Sequence, residues 1–233
     1  MLYHDSIAKP LFDRGLLAEY PPGSPFKILT GLIGLQEGVI NEQTTYMCHH
    51  GFSYAPGRFM KCHGSGPHQL HNGIYNSCNT YFANVMQRVI DNRKYPNIDS
   101  SLRTWNRYMS GFGLGHKLGV DVPTERAGFI PTPEYFNKPR IYGPGRWNFC
   151  NFVSMSIGQG EVNTTPIQVA NEMAYIANKG WYVIPHVVDS IEGGDKFGLL
   201  DRFRDPNDPL KLIIVTSKLL TGFDAPILQA MYL

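Results

Sequence analysis

Tyr20-Pro21-Pro22-Gly23-Ser24-Pro25-Phe26-Lys27 stands at the mouth of an apolar run, and the fold turns on how it is interpreted. The first four residues are a turn signal. Ser24 suits a helix cap and Pro25 the first helical position. Ile28, Leu29, Leu32, Ile33 and Leu35 come next at helical spacing, and Gly38 is placed to stop the helix. A serine and a lysine three residues apart on a helix share one face. At the helix start the backbone N–H groups are unpaired and the dipole favours negative charge. A neutral lysine amine beside such a serine takes its proton and makes it a nucleophile without a histidine. The amine must then be partly desolvated, which lowers its pKa. The competing reading is a capped surface helix with a solvated Lys27, because S-x-x-K also arises by chance. Ser6-Ile7-Ala8-Lys9 is such a case: Pro10 biases Lys9 away from helix, so that pair does not share a face.

A second element raises the weight of the first. Asn76-Ser77-Cys78-Asn79 precedes another helical run, with Tyr81, Phe82, Val85, Met86 and Val89 on one side. Ser77 is placed to shuttle a proton between Lys27 and a leaving amine, and the Asn79 amide to hold a substrate carbonyl. The plain alternative is a Ser/Asn helix cap.

With both elements the chain resembles a penicillin-binding protein, whose signature is S-x-x-K, an S-D-N-like triplet and K-T-G. The stretch at residues 20–27 is close to that family's Y-P-P-G-S-x-F-K, and Leu35-Gln36-Glu37-Gly38-Val39-Ile40 resembles the family's next segment. Ser77-Cys78-Asn79-Thr80-Tyr81-Phe82 resembles the S-C-N-x-Y-F of the class B, elongation-type members (penicillin-binding protein 2). Phe112-Gly113-Leu114-Gly115, Gly119-Val120-Asp121-Val122-Pro123, Ile157-Gly158-Gln159-Gly160 and Thr165-Pro166-Ile167-Gln168-Val169-Ala170 fit further stretches in the same order. The resemblance implies an α+β transpeptidase fold like that of the serine β-lactamases. It implies a D,D-transpeptidase that cross-links peptidoglycan stem peptides. Ser24 then attacks the D-Ala-D-Ala carbonyl, Lys27 is the base, Ser77 relays the proton and Asn79 orients the substrate. The Ser24 N–H supplies half of the oxyanion hole. β-Lactams acylate the same serine, and catalysis needs no cofactor. The family sits on the periplasmic face of the inner membrane and works with a membrane glycosyltransferase of the elongation machinery.

The third motif does not occur: there is no K-T-G in the 233 residues, and Lys218-Leu219-Leu220-Thr221-Gly222 has two residues too many. On a strand that spacing changes the faces. Residues 210–226 read as a buried strand and loop that resemble a motor motif of superfamily 2 helicases, without a G-x-x-x-x-G-K-[ST]. The expected organisation is a partial transpeptidase domain at residues 1–195 and an unrelated remnant at 196–233. The helical part of the domain is then nearly whole and the central sheet incomplete, which leaves apolar faces uncovered. There are two rival functions: a zinc-stapled structural fragment without turnover, and a nucleic-acid motor piece.

Composition bounds these choices. Hydrophobic content of 42% and aromatic content of 12% suit a globular domain. A net charge of +2 argues against nucleic acid as the main partner. No run of 18 apolar residues or signal peptide is visible, so the family's anchor is expected upstream. Glycine and proline indicate loops at residues 48–73 and 111–146. Thr165 caps a further helix with Pro166 at its first position, on which Ile167, Ala170, Met173, Ala174 and Ala177 share a core side and Gly180 ends the run. Ser154 and Ser156 read as turn and packing residues.

Cys48, Cys62 and Cys78 fall close together beside His49, His50, His63, His68 and His71. Cys48, Cys62, His68 and Cys78 make a three-Cys, one-His set for a structural zinc, with His63 as the competing ligand. Some elongation-type relatives carry a metal site between the first two motifs. Cys78 would tie such a site to the Ser77–Asn79 turn. A Cys48–Cys62 disulfide and free thiols are the alternatives. Cys150 has no assigned role.

Overall fold

The computed structural model describes residues 9, 11–122 and 124–186. The expected foreign segment at 196–233 and the helicase-like stretch at 210–226 lie outside these. The described residues fall into two compact units, one at residues 20–115 and 128–164 and the other among residues 9–19, 116–127 and 165–186.

The first unit is built around α4 (Asn79–Ile90). Its inward side carries Tyr81, Phe82, Val85 and Met86, all wholly buried, as the helical spacing anticipates. Each such side chain contributes about 1.5–3 kcal/mol when removed from water. Against α4 pack α2 (Lys27–Gln36), the hairpin of β1 (Tyr46–Ala55) and β2 (Arg58–His68), and a 3-10 helix at Val153–Ile157. Helix α3 (Leu70–Tyr75) joins the hairpin to α4, and α5 (Ile98–Gly111) adds Leu102, Trp105 and Met109 to the core. Two single-turn helices, α6 (Pro133–Phe136) and α7 (Phe149–Phe152), place Phe136 and Phe152 with ring centroids 5.3 Å apart.

Helix α2 shows how local sequence sets the contact. Gly34 has no room for a side chain, since a Cβ there would fall 2.5 Å from Val85 Cγ1 on α4. Glycine therefore lets the two backbones approach. The helix ends as expected at Gly38, whose φ is +67°. The Val39 N–H donates to Gly34 O and the Gly38 N–H to Leu35 O, a Schellman closure. The apolar stripe differs from the expected one: Leu29 and Ile33 are buried, but Leu32 is 37% exposed.

Residues 48–73, expected to be loop, hold most of the hairpin. Among the described residues its two antiparallel strands are the only sheet. The many glycines do not break it because they serve its irregularities. His49 pairs with Ser65 and Gly51 with Lys61, so His50 alone faces Cys62, His63 and Gly64. Such a bulge bends the strand and re-aims a side chain. Here it accompanies a buried Cys62 and a left-handed His50 at φ +58°.

In the second unit, α8 (Pro166–Ala177) packs against α1 (Arg14–Leu17). Gln168 Oε1 accepts the Thr165 N–H at 3.0 Å, half of a capping box. The buried side of α8 is not the apolar one. Gln168, Asn171, Glu172 and Ala174 are buried, whereas Ala170, Met173 and Ala177 are exposed. Gln168 Nε2 explains part of this, because it donates to His116 O at 2.8 Å and Ala127 O at 2.9 Å.

Candidate active site

Ser24 opens a 3-10 turn, Ser24–Phe26, that runs into α2. Gly23, not Ser24, occupies the cap position, at φ +68°. The Ser24 hydroxyl is thereby free of a capping bond. Gly23 is held from behind by Gly158, whose carbonyl accepts the Gly23 N–H at 2.8 Å. A Cβ on Gly158 would lie 2.5 Å from Gly23 O and 2.6 Å from Phe26 Cβ, and its φ is +68°. This is the physical need behind the Ile157-Gly158-Gln159-Gly160 stretch. Only a glycine lets that turn pass behind the serine.

Lys27 is 3% exposed, which removes the reading of it as a solvated surface lysine. Its Nζ donates to Ser77 Oγ at 2.7 Å, to Ser77 O at 2.8 Å and to Ser24 Oγ at 3.2 Å. Ser77 Oγ in turn donates to Ser24 Oγ at 2.9 Å. The three side chains form a closed triangle with exposed Ser24 at its outer corner. Burial holds the Lys27 amine below its ordinary range, while the Cys62 and Cys78 thiols oppose that shift. A lowered pKa is what a lysine base needs.

Ser77 adopts φ +49°, a left-handed conformation rare for a serine. The turn pins it there: the Ser77 N–H donates to Ile74 O at 3.0 Å and the Cys78 N–H to Gly73 O at 2.8 Å. Lys27 on the Ser77 carbonyl completes the hold. Neither Ser77 nor Asn79 is the cap of α4. That place is taken by Cys78, whose Sγ accepts the Tyr81 N–H at 3.4 Å. Asn79 is the first residue of α4, and Asn79 Nδ2 donates to Lys61 O at 2.8 Å. The hairpin thus grips the Ser77–Asn79 turn, a contact that no local sequence signal announces.

The three expected cysteine ligands converge. The sulfurs of Cys48, Cys62 and Cys78 lie within 4.8 Å of one another, with Cys62 and Cys78 at 3.8 Å. All four cysteines are free. His68 is buried but stands outside this group, its Nδ1 3.1 Å from Gly66 O. A Cβ on Gly64 would lie 3.3 Å from His68 Nε2 and 3.9 Å from Cys62 Sγ, so Gly64 lies beside both the ring and the Cys62 thiol. His63 is exposed. Burial works to raise the Cys62 pKa, but hydrogen bonds from Thr80, Gly64, Cys48 and Asn79 outweigh it and bring the thiol down to about 7. Burial and the neighbouring thiols push Cys78 up to about 12. Cys150 lies apart, its Sγ donating to Tyr54 O at 2.8 Å. Ser156 is a packing residue, with its Oγ on Val153 O at 2.6 Å.

A serine at a helix start, a buried lysine one turn on and a bridging second serine form a hydrogen-bonded Ser–Lys–Ser set in an α+β fold, and a neutral amine so placed can take a proton from the exposed serine. Comparison with known proteins places that site in a family. The profile of the penicillin binding protein transpeptidase domain matches residues 5–218, and the chain belongs to that family. Its match runs past residue 195, where the sequence suggested a boundary. The chain is similar to the peptidoglycan D,D-transpeptidase MrdA of Acinetobacter baumannii, 34% identical over 83% of this chain and 27% of the relative. It is 30% identical to MrdA of Escherichia coli over 78% of this chain and 27% of that protein. It thus spans about a quarter of these relatives' length. Among solved structures, Pseudomonas aeruginosa PBP2 in complex with WCK 5153 gives a TM-score of 0.70 at 30% identity, covering 83% of this chain and 42% of that one. Helicobacter pylori PBP2, in a complex with MreC, gives 0.66 at 26% identity, covering 78% and 32%. These comparisons lend the helicase-like reading no support.

Proposed function

We propose that this chain carries the acyl-transfer site of a peptidoglycan D,D-transpeptidase of the elongation type. The observation that supports it most is the hydrogen-bonded triangle in which buried Lys27 reaches exposed Ser24 both directly and through Ser77. Neutral Lys27 takes the Ser24 proton, at 3.2 Å directly or by way of Ser77. Ser24 Oγ then attacks the carbonyl of the terminal D-Ala-D-Ala bond. The developing oxyanion sits at the start of α2, where the Ser24 N–H and the helix dipole face it. Ser77 Oγ returns the proton to the departing amine, which leaves as D-Ala. The acyl-enzyme is resolved by an amine of a second stem peptide, with the same groups used in reverse. Asn79 sets the substrate's approach, its amide N–H held by Lys61 O. Periplasmic placement, a membrane anchor outside this span and a glycosyltransferase partner belong to the same reading. No cofactor enters the chemistry.

The test is intact mass after incubation with a penicillin. The expected result is a single adduct on the wild-type chain and none on Ser24→Ala. A folded wild-type chain that stays unmodified refutes the reading. No K-T-G occurs in these residues.

A structural zinc is the second part of the proposal, supported by the convergence of Cys48, Cys62 and Cys78. Three thiolates and one imidazole suit tetrahedral zinc. His68 would supply the fourth ligand, its Nδ1 donating to Gly66 O so that Nε2 keeps its lone pair. The ion would fix the Ser77–Asn79 turn to the hairpin through Cys78.

A further inference from the structure

The thiol cluster is built into the turn that carries Ser77 and Asn79. Cys78 stands between those two residues and caps α4, its Sγ accepting the Tyr81 N–H at 3.4 Å. Cys62 Sγ accepts the Asn79 N–H at 3.2 Å and donates to Cys78 Sγ at 3.8 Å. Cys48 is engaged elsewhere: its Sγ donates to Gly64 O at 3.1 Å and lies 3.1 Å from Thr80 Oγ1. All three are free thiols. Cys48 and Cys78 are 1% and 0% exposed, whereas Cys62 is 8% exposed, so Cys62 is the member that a small solute meets first. Two reduced sulfurs in contact, one at the surface and the other behind it, give a first-oxidised sulfur a resolving thiol at once.

We propose that Cys62 and Cys78 form an oxidation site for small hydroperoxides, and that the disulfide they make pulls the Ser77–Asn79 turn out of its working geometry. The inference rests on the transpeptidase reading for what that turn does. The Cys62 sulfur attacks the terminal peroxide oxygen. The O–O bond breaks, the rest of the hydroperoxide leaves with the Cys62 proton as an alcohol (as water, from hydrogen peroxide), and Cys62 becomes a sulfenic acid. The Cys78 sulfur then attacks the Cys62 sulfur, the S–O bond breaks, and water leaves with the Cys78 proton. Two thiols lose two electrons and two protons, and the hydroperoxide takes up both. The sulfurs must close from 3.8 Å to about 2.05 Å. That approach strains the bonds from the Asn79 and Tyr81 N–H groups to sulfur, in the first turn of α4. It also shifts Cys78, whose chain neighbours are Asn79 and the Ser77 that meets Lys27 Nζ at 2.7 Å. Zinc on these thiols and the disulfide exclude each other, so the cluster has a metal-bound state that holds the turn and an oxidised state that does not.

The experiment treats the 233-residue chain with hydrogen peroxide, as isolated and after chelation, and reads intact mass, a peptide map and amide hydrogen exchange. The expected result is a loss of about 2 Da, a cross-linked peptide pair that joins Cys62 to Cys78, and reversal by dithiothreitol. Exchange at residues 79–82 is expected to rise on oxidation. Penicillin acylation is expected to slow roughly tenfold or more, since a misplacement of about 1 Å costs up to a hundredfold. Cys78→Ser, without the resolving thiol, should stop at a Cys62 sulfenic acid that dimedone captures, and Cys150→Ser should oxidise as wild type does. Thermal melts separate these effects from loss of the fold. No disulfide in the chelated wild-type chain, a cross-link through Cys48 or Cys150 in place of Cys78, or a Cys62–Cys78 disulfide that leaves exchange at residues 79–82 unchanged overturns the proposal. So does an oxidised chain that acylates as fast as the reduced one. The peptide map and the exchange need no turnover, so a reduced chain that takes up no penicillin counts against the transpeptidase reading alone.

Discussion

Replacing Glu172 by glutamine should make this protein more stable at neutral pH, and by an amount that depends on pH. Glu172 is wholly buried on α8, and neither carboxylate oxygen has a hydrogen-bond partner among the described residues. Desolvation raises its pKa from 4.5 to about 8. A carboxyl that binds its proton more tightly when folded costs nothing by linkage below its unfolded pKa. Folding takes up a proton above pH 4.5, so stability falls as pH rises, until the folded group itself ionises near pH 8. At about 1.36 kcal/mol per unit, the loss reaches roughly 3 kcal/mol at pH 7. Glutamine keeps the shape and cannot ionise. Urea unfolding at pH 5, 6, 7 and 8 should give a wild-type stability that declines by about 3 kcal/mol relative to Glu172→Gln. At pH 5 the linkage loss should be less than about 1 kcal/mol. Parallel curves over this range would refute the argument, because they would mean that Glu172 is charged and compensated in the folded protein.

Other expectations come from the site. Lys27→Ala should abolish penicillin acylation, and the wild-type acylation rate should rise with pH through a lysine pKa below the ordinary 10.5, since only the neutral amine is a base; a rate that falls across that range contradicts a lysine base. Gly158→Ala should destabilise the protein by about 2–3 kcal/mol, through its positive φ and the 2.5 Å approach to Gly23 O, and should slow acylation by displacing Ser24; a thermal melt and an adduct time course read both effects. Metal analysis of the untreated chain should find about one zinc per molecule, lost in Cys62→Ser and after chelation; absence of zinc in untreated protein removes the metal site.

The proposed nucleophile and base were legible because their signal is local. Ser24 and Lys27 share a face by helical spacing alone, and Gly38 ends the helix because it can take a positive φ. The partners of those residues were legible only as motifs. Nothing in the sequence shows that Gly158 backs Gly23, since that contact joins residues far apart in the chain. Cys48, Cys62 and Cys78 could be grouped by type and proximity, but the bulge opposite His50 that accompanies a buried Cys62 depends on strand register. His68 was grouped with them and lies just outside, its ring held toward Gly66. The hairpin was missed because a stretch rich in glycine and histidine carries no period-2 apolar pattern. The buried face of α8 was misread for the converse reason. Its apolar residues have helical period, but the long polar side chain of Gln168 is satisfied by carbonyls from a distant loop.

The order of residues specifies, without any fold, the elements whose information is short-range: the Ser24–Lys27 turn of helix, the apolar side of α4, the stop at Gly38, and the succession of motifs that carries family membership. The chemistry's setting comes from long-range packing. Packing buried Lys27 and so lowered its basicity, strained Ser77 to place its hydroxyl between Lys27 and Ser24, freed Ser24 from capping and fastened Asn79 to the hairpin. The division has one cause. Propensity and periodicity act over a few residues, whereas desolvation and long-range hydrogen bonds depend on which surfaces the folded chain brings together.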